Sequence, residues 1–332
     1  MPPSANVSSP ASRKFAWLAG AIVAAVLLWT IGWFFFAARI EDHLPSTLAQ
    51  ITGPDATAGC TEADVRGYPF RVGLFCETLT YANTAEGITA TAGAFRSAAQ
   101  VYQPQHAVAE VDGPFVLDAS GLILRADWQL LKASVQAVSD GLDRGSIEAR
   151  NTSFNIDGTG LTQRLAVQAG RITAHARRNG ADLDVAAYSE NLRNSLLAGL
   201  NAKALAFEAT LSGRSDLLRI PFTPLHGPFD AMLHRVTIEL DETSSLELAG
   251  PVQVAADGHM SGNLELTISN VQQFSELVAG FNPESADMIR RFGPMISALD
   301  TRPGDDATTL PLTIRNGQVS LGIIPLGELP AF

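Results

Sequence analysis

The sequence predicts a mainly β protein with a few helices, an α+β chain. An N-terminal transmembrane helix would precede a large, curved, mostly antiparallel sheet that helices partly cover. Residues 15–38 contain no charged side chain. Beyond them, apolar residues recur at every second position, the period of a strand with one apolar face. Asp-Gly and Asn-Gly pairs, typical of tight hairpin turns, separate several of these runs.

The uncharged segment has the length and flanks of a membrane anchor. As a helix rising 1.5 Å per residue, it would span roughly 36 Å and cross a hydrocarbon core of about 30 Å. Arg13 and Lys14 precede it, and the first acidic residue is Glu41. The positive-inside rule therefore predicts a cytoplasmic tail at 1–14, a transmembrane helix at 15–38 and an exported β-rich domain at 39–332. The alternative, a cleaved signal peptide, would have an apolar stretch of only about 7 to 15 residues.

The chain contains two cysteines, Cys60 and Cys76. Beyond an export helix they would meet an oxidising compartment, where closing a loop of this size removes roughly 3 kcal/mol of unfolded-chain entropy. The sequence therefore predicts a disulfide bond between them. The alternative is a pair of buried free thiols in a cytosolic protein.

The exported segment divides into strands with one apolar face and a few helices. The alternation places the following residues on apolar faces: Leu205, Phe207, Leu211, Val236, Ile238, Leu240, Leu264, Leu266 and Ile268. Leucines at helical spacing behind Ser189 predict a short amphipathic helix over 189–202, and apolar stripes predict helices over 271–281 and 283–299. The last strands would form a hairpin through Asn316-Gly317.

Composition and motifs exclude several function classes. With 23 basic and 34 acidic residues, the formal charge of -11 disfavours nucleic acid as a partner. The sequence contains no nucleophile elbow, zinc-protease or phosphate-loop motif, so we predict no enzyme, cofactor or metal. Two alternatives stay open: a hydrolase assembled from distant strands, and a calcium site at Asp300, Asp305 and Asp306 in place of a solvated acidic loop.

The most individual motif lies between the cysteines, Gly67-Tyr68-Pro69-Phe70-Arg71, and its proline and glycine suit a corner or edge of a sheet. A ligand contact is the alternative. Together with the membrane helix, this motif resembles an uncharacterised family of alphaproteobacterial inner-membrane proteins, domain of unknown function 2125. Two other stretches resemble that family: Arg125-Ala126-Asp127-Trp128 with the following 130–134, and the ending 315–322 around Asn316 and Gly317.

The resemblance implies a single-pass inner-membrane protein whose main domain lies in the periplasm. It supplies no catalytic residue. The layout is also similar, more distantly, to AsmA-like proteins, which are thought to influence envelope lipid homeostasis. Two functional hypotheses follow: an apolar sheet face that binds acyl chains for lipid handling, or a closed core that makes the domain a membrane-tethered scaffold for envelope assembly.

Overall fold

The computed structural model describes residues 10–52, 55–158, 165–195, 201–220, 225–270, 307–322 and 324–331, together with the single positions 276 and 291. Apart from those two positions, the predicted helices at 271–281 and 283–299 lie outside the described residues. The acidic loop with Asp300, Asp305 and Asp306 lies outside them as well. The described part is dominated by strands, as the sequence predicts.

Within the described residues, one long helix, α1 (Pro10–Thr52), precedes twenty strands that belong to one sheet. A short 3-10 helix, Ser215–Leu218, follows the fourteenth strand. The strands are β1 (Ala56–Thr61), β2 (Asp64–Arg66), β3 (Arg71–Cys76), β4 (Thr78–Asn83), β5 (Ile88–Ala92), β6 (Phe95–Gln100), β7 (Gln103–Val111), β8 (Phe115–Ala119), β9 (Leu122–Asp127), β10 (Leu130–Val138), β11 (Gly141–Gly158), β12 (Leu165–Asn179), β13 (Asp182–Asn194), β14 (Ala202–Leu211), β15 (Phe229–Glu239), β16 (Ser245–Val254), β17 (Met260–Ser269), β18 (Ala307–Arg315), β19 (Gln318–Leu321) and β20 (Ile324–Glu328).

Helix α1 contains the whole predicted anchor, residues 15–38. It is long and apolar enough to cross a membrane, and only 11% of its most apolar window is buried against the rest of the protein. Its exposed face carries Phe15, Trp17 and other large apolar side chains. A surface of this kind is costly in water, so the structure is compatible with a membrane-spanning role for α1.

The sheet is a continuous antiparallel meander. From β11 to β20, each described strand pairs with the next one along the chain. Before β11, two consecutive strands, such as β7 and β8 or β9 and β10, form one long strand with a break of one to three residues. Each of these interrupted strands pairs with the next one along the chain. Sequence neighbours are therefore spatial neighbours across the whole sheet.

The interruptions line up across the sheet and form a line that we call the crease. It consists of residues 62–63, 77, 93–94, 112–114 and 128–129, which separate successive strands, and of residues 151, 170 and 191, where the ladders of β11, β12 and β13 are broken at matching positions in the register. Asn151 and Asn191 adopt left-handed backbone angles there, with φ of 49° and 54°. The register is the same on both sides of Asn151 and of Asn191, so neither position inserts an extra residue into its strand. The crease is therefore a line along which the ladders of the sheet are broken without a change of register at these two positions.

The hairpin predictions succeed in part. Asn316 and Gly317 form the two-residue turn between β18 and β19, both with positive φ, as predicted. Asp157 and Gly158 are instead the last two residues of β11 and pair with β9, because backbone pairing overrides the turn preference of an Asp-Gly pair. The predicted helix over 189–202 is wrong where the structure describes it: β13 continues to Asn194, paired on both edges, and Ala202 begins β14.

Three apolar clusters form the core of the described part. The largest joins β16 to β20 around Ile268 and Leu310, each 1% exposed. The second lies where the 3-10 helix places Leu218 against Leu183, Ala209 and Leu211. The third packs Trp33 and Ala37 of α1 against Val65 of β2. Only the last joins the helix to the sheet.

Candidate functional site

The Gly67–Arg71 motif forms the turn between β2 and β3, and this turn contacts α1. The indole nitrogen of Trp29 donates a hydrogen bond to the carbonyl of Pro69 at 3.0 Å, and that of Trp33 donates to the carbonyl of Arg71 at 3.0 Å. The Tyr68 hydroxyl lies 2.7 Å from the Thr30 hydroxyl. The predicted corner of the sheet is therefore also the point where the sheet meets the helix.

Aromatic packing and one carboxylate hydrogen bond also join the helix to the sheet here. The Tyr68 ring stacks on Phe34 with centroids 5.6 Å apart and meets Trp33 edge to face at 5.7 Å. Further along the helix, Glu41 accepts a hydrogen bond from the backbone nitrogen of Val65 at 2.8 Å. Gly67 has a φ of 122°, and a Cβ there would lie 2.8 Å from the Arg71 carbonyl oxygen, so glycine is required.

The predicted disulfide is present. Cys60 of β1 and Cys76 of β3 are bonded, with Cα atoms 5.2 Å apart. Both cysteines lie beside the crease, where the backbone nitrogen of Glu77 donates to the Thr61 carbonyl at 2.9 Å. The bond therefore joins the first two interrupted strands close to their common break.

The second family motif lies further along the crease. The indole nitrogen of Trp128 donates to the carbonyl of Val111 at 2.7 Å, and the Asp127 carboxylate accepts from the Trp128 backbone nitrogen at 2.7 Å. A Cβ on Gly113 would lie 2.9 Å from that carboxylate. Asp127 and Trp128 thus hold two neighbouring strands together at their breaks.

The third motif, at Asn316 and Gly317, lies at the other end of the sheet. Gly317 donates a backbone hydrogen bond to the Met260 carbonyl at 2.8 Å, and Asn316 donates one to the Ser261 hydroxyl at 3.0 Å. The three motifs therefore occupy a helix junction, a crease and a terminal hairpin. They do not converge on one site.

One face of the sheet is apolar from the helix junction to the C-terminal core. Cross-strand partners share a face, so the register defines rows of side chains perpendicular to the strands. The first row is Val72, Ala99, Ala107, Val135, Gly145, Ala176, Val185, Ala209 and Leu233. The second is Ala109, Ala133, Ile147, Ala174, Ala187, Phe207, Val236, Leu248, Leu266 and Leu310. The third is Leu131, Ala149, Ile172, Ser189, Leu205, Ile238, Leu246 and Ile268.

We call these three rows the apolar lane. At its start, Val72 packs against the cluster around Trp33 of α1. In its middle, Ile147 is 50% exposed and Phe207 is 37% exposed. At its end, Leu310 is 1% exposed within the C-terminal core. The lane is therefore covered at both ends and at Ala209 of the first row, which is buried beside Leu218, and its second row is accessible at Ile147 and Phe207.

The opposite face carries an open trough across β7 and β10–β15. Two adjoining sections, of about 830 and 750 Å³, share His175, Ser134 and Glu208 in their linings. The lining is mixed. Small apolar residues such as Val108, Ala186 and Ala206 lie among the following polar and charged ones: His106, Gln136, Arg144, Ser146, Arg177, Asp184, Thr210, His234, Lys132, Glu148, Arg171, Thr173, Tyr188 and Arg235. The charged side chains of this part of the sheet thus lie on the face opposite the lane.

Charges in the trough pair with each other across the strands. Glu148 lies 2.9 Å from Lys132, 2.7 Å from Arg150 and 3.4 Å from Arg171. Hydrogen bonds from Lys132 and Arg150 lower the pKa of Glu148 to about 2. A hydrogen bond from Thr210 and the nearby Arg177 likewise lower the pKa of Asp184. Both carboxylates stay ionised at neutral pH, which suits ion pairing rather than proton transfer.

Among the residues that the structure describes, no group of three histidine, cysteine or acidic side chains could hold a metal ion. The histidines of the trough lie on separate strands, and Thr210 contacts the His234 ring at 2.9 Å. Sequence reasoning identified the apolar alternation but missed the trough, because its polar residues come from distant parts of the chain.

These features define a class: proteins with one apolar N-terminal helix joined to a single, large antiparallel sheet. Residues 33–330 match the model of a family described as an uncharacterized protein conserved in bacteria (DUF2125), and the chain belongs to that family. No curated protein and no solved structure matches the chain significantly.

Proposed function

We propose that this protein binds lipid acyl chains along the apolar lane and handles lipids at the bacterial inner membrane, from which its main domain projects into the periplasm. The observation that carries the proposal is the uninterrupted course of the lane from Val72, beside α1, to the C-terminal core. An acyl chain that leaves the membrane beside the helix would meet apolar side chains across successive strands.

The exposure of the lane supports acyl binding over a sealed core. Ile147 and Phe207 lie three strands apart in the second row, with Ala174 and Ala187 between them, and both large side chains are accessible. Small alanines leave room above the sheet for a flexible chain. Exposed apolar surface of this extent is otherwise unfavourable in water.

The charge distribution favours binding to the acyl tails of lipids over binding to their headgroups. The net charge of -11 disfavours binding to anionic headgroups by attraction alone. The cations of the trough are largely paired with carboxylates, as around Glu148 and Asp184. The disulfide is compatible with a periplasmic domain.

Photocrosslinking tests this proposal, because the sheet offers a matched pair of aromatic positions. Phe207 lies in the lane and Tyr188 on the opposite face of the neighbouring strand, with exposures of 37% and 40%. Benzoylphenylalanine at position 207 should form a phospholipid adduct in intact cells, seen as a mass increase, whereas position 188 should form none. Ile147→Asp should abolish the adduct at 207. Absence of an adduct at 207, or equal adducts at both positions, would contradict lipid binding in the lane.

The second candidate function, a non-catalytic scaffold for envelope assembly, is favoured by the C-terminal end of the sheet. There Leu266, Ile268 and Leu310 are sealed within a closed core. If that closure extended to the whole lane in the cell, the protein would present only its polar face to partners. A folded protein that forms no lipid adduct at position 207 would favour the scaffold.

A further inference from the structure

We propose that the turn between β2 and β3, residues 67–70, is immersed in the membrane leaflet on the side of the sheet and fixes the sheet against the bilayer. The partner is the lipid of the same membrane that α1 crosses. This inference goes beyond lipid binding in the lane and rests only on α1 as a membrane-spanning helix.

The depth of the turn follows from the helix. Crossing a hydrocarbon core of about 30 Å takes about 20 residues. If the membrane span ended before Trp29, residues 15–28 would rise only about 21 Å, which is too short to cross the core. The span must therefore extend to about Phe34. The turn contacts Trp29 and Thr30 through Pro69 and Tyr68. Those contacts lie about 6 to 8 Å deeper along the helix than Phe34.

Four backbone carbonyls in and beside the turn accept hydrogen bonds. The carbonyl of Gly67 accepts from the Arg71 nitrogen at 2.9 Å, and that of Phe70 accepts from the Val101 nitrogen at 3.0 Å. The carbonyls of Pro69 and Arg71 accept from the indoles of Trp29 and Trp33. Proline has no backbone N–H to satisfy. Irregular backbone at membrane depth is tolerated only when its polar groups find such partners.

The side chains around the turn are those of a membrane interface. Phe70 is 65% exposed, Tyr68 is 42% exposed, and Tyr102 of the adjacent β6–β7 turn is 69% exposed. Arg71 follows them, and no carboxylate in the described part of the chain pairs with it. Aromatic rings settle at the headgroup level, and arginine extends towards phosphates from below. Water alone would leave these three rings unfavourably exposed.

Depth-dependent quenching of a fluorophore tests the inference on the full chain. Phe70→Cys is labelled with a nitrobenzoxadiazole maleimide without reductant, so that Cys60 and Cys76 stay bonded and unlabelled. The protein is reconstituted in phosphatidylcholine vesicles with a minor share of phosphatidylglycerol. Nitroxide on the upper acyl chain should remove most of the fluorescence, and aqueous iodide should remove little.

Two labelled controls define the scale. Leu122→Cys, an exposed apolar residue at the hairpin turn at the opposite end of the strands, should respond to iodide and not to lipid nitroxide. Val23→Cys, within the helix, should respond to lipid nitroxide. If Phe70→Cys does not fold, the same label at Tyr102 tests the same depth from another turn. A label at 70 or 102 that iodide quenches like that at 122, while Val23 reports insertion, overturns the proposal.

Discussion

Trp128 lies in the break between β9 and β10, and its indole donates a hydrogen bond at 2.7 Å to the carbonyl of Val111, the last residue of β7 before the neighbouring break. The ladder between β7 and β10 ends at Glu110 and Lys132, and the ladder between β8 and β9 begins at Phe115 and Ala126. The indole therefore supplies a hydrogen bond that the backbone ladder omits at the crease.

Loss of this bond should weaken the crease. We expect Trp128→Phe to lower the free energy of unfolding by about 1–3 kcal/mol, since the part-buried carbonyl of Val111 would lose its partner. Thermal unfolding followed by circular dichroism measures the change. Tyr102→Phe, which removes a hydroxyl from a side chain 69% exposed, is the control and should leave the midpoint unchanged. Equal stability of wild type and Trp128→Phe would contradict a structural role for the indole.

The disulfide should stabilise the N-terminal strands. Cys60→Ser should lower the free energy of unfolding by about 2–4 kcal/mol, because the unfolded chain regains the entropy of an open loop. Reductant should lower the melting temperature of the wild type to a similar value and leave that of Cys60→Ser unchanged. A wild-type melting temperature that is insensitive to reductant would show that the bond contributes nothing.

The ion pairs of Glu148 should make stability depend on pH. Lys132 and Arg150 lower the pKa of Glu148 from 4.5 to about 2. Because the folded-state pKa lies below that of the unfolded chain, these pairs stabilise the fold above about pH 4.5, and their contribution is lost as the pH falls towards 2. Glu148→Gln should therefore lower the melting temperature at pH 7, and the difference from wild type should narrow through this window.

The control for Glu148→Gln is Glu247→Gln, since Glu247 is exposed and forms no ion pair within the described ranges. It should leave the melting temperature unchanged at each pH. A constant difference between Glu148→Gln and wild type from pH 7 to pH 2 would mean that the variant acts through packing rather than through charge.

The sequence predicts those features that depend on local pattern. The run at 15–38 fixes α1, and alternation identifies the strand faces that carry Phe207, Val236 and Leu266. Local pattern fails at 189–194. There the leucine spacing favours a helix, but pairing of β13 with both β12 and β14 satisfies the same backbone groups along two edges.

The crease and the helix junction could not be predicted because they depend on long-range contacts. Gly67–Arg71 shows the composition of a corner, but its contacts to Trp29 and Trp33 join residues 38 to 40 positions apart. Likewise, the continuity of the apolar lane is a property of the register. Each strand alone shows alternation, and only the pairing of Ile147 with Ala174, and of Ala187 with Phe207, joins the faces into rows.

The orientation of the protein in the membrane is predicted by the charges that flank α1. An alkaline phosphatase fusion after residue 50 should be active in intact cells, and a green fluorescent fusion there should be dark, because Arg13 and Lys14 retain the N-terminus in the cytoplasm. A phosphatase fusion after Lys14, before the apolar segment, is the control and should be inactive. Fluorescence with an inactive phosphatase at residue 50 would reverse the orientation and remove the periplasmic assignment.

The apolar lane should tolerate a charge in its middle and not at its end. Ile268 is 1% exposed within the C-terminal core, so Ile268→Asp would bury a carboxylate among Leu246, Leu266 and Leu310 and should destabilise the fold by more than about 4 kcal/mol. Ile147 lies in the same lane but is half exposed, so an aspartate there can stay hydrated, and Ile147→Asp should fold. Denaturant unfolding of the two variants measures the difference. Equal destabilisation by both substitutions would mean that the lane is closed along its whole length. That result would contradict the accessible middle section that acyl-chain binding requires.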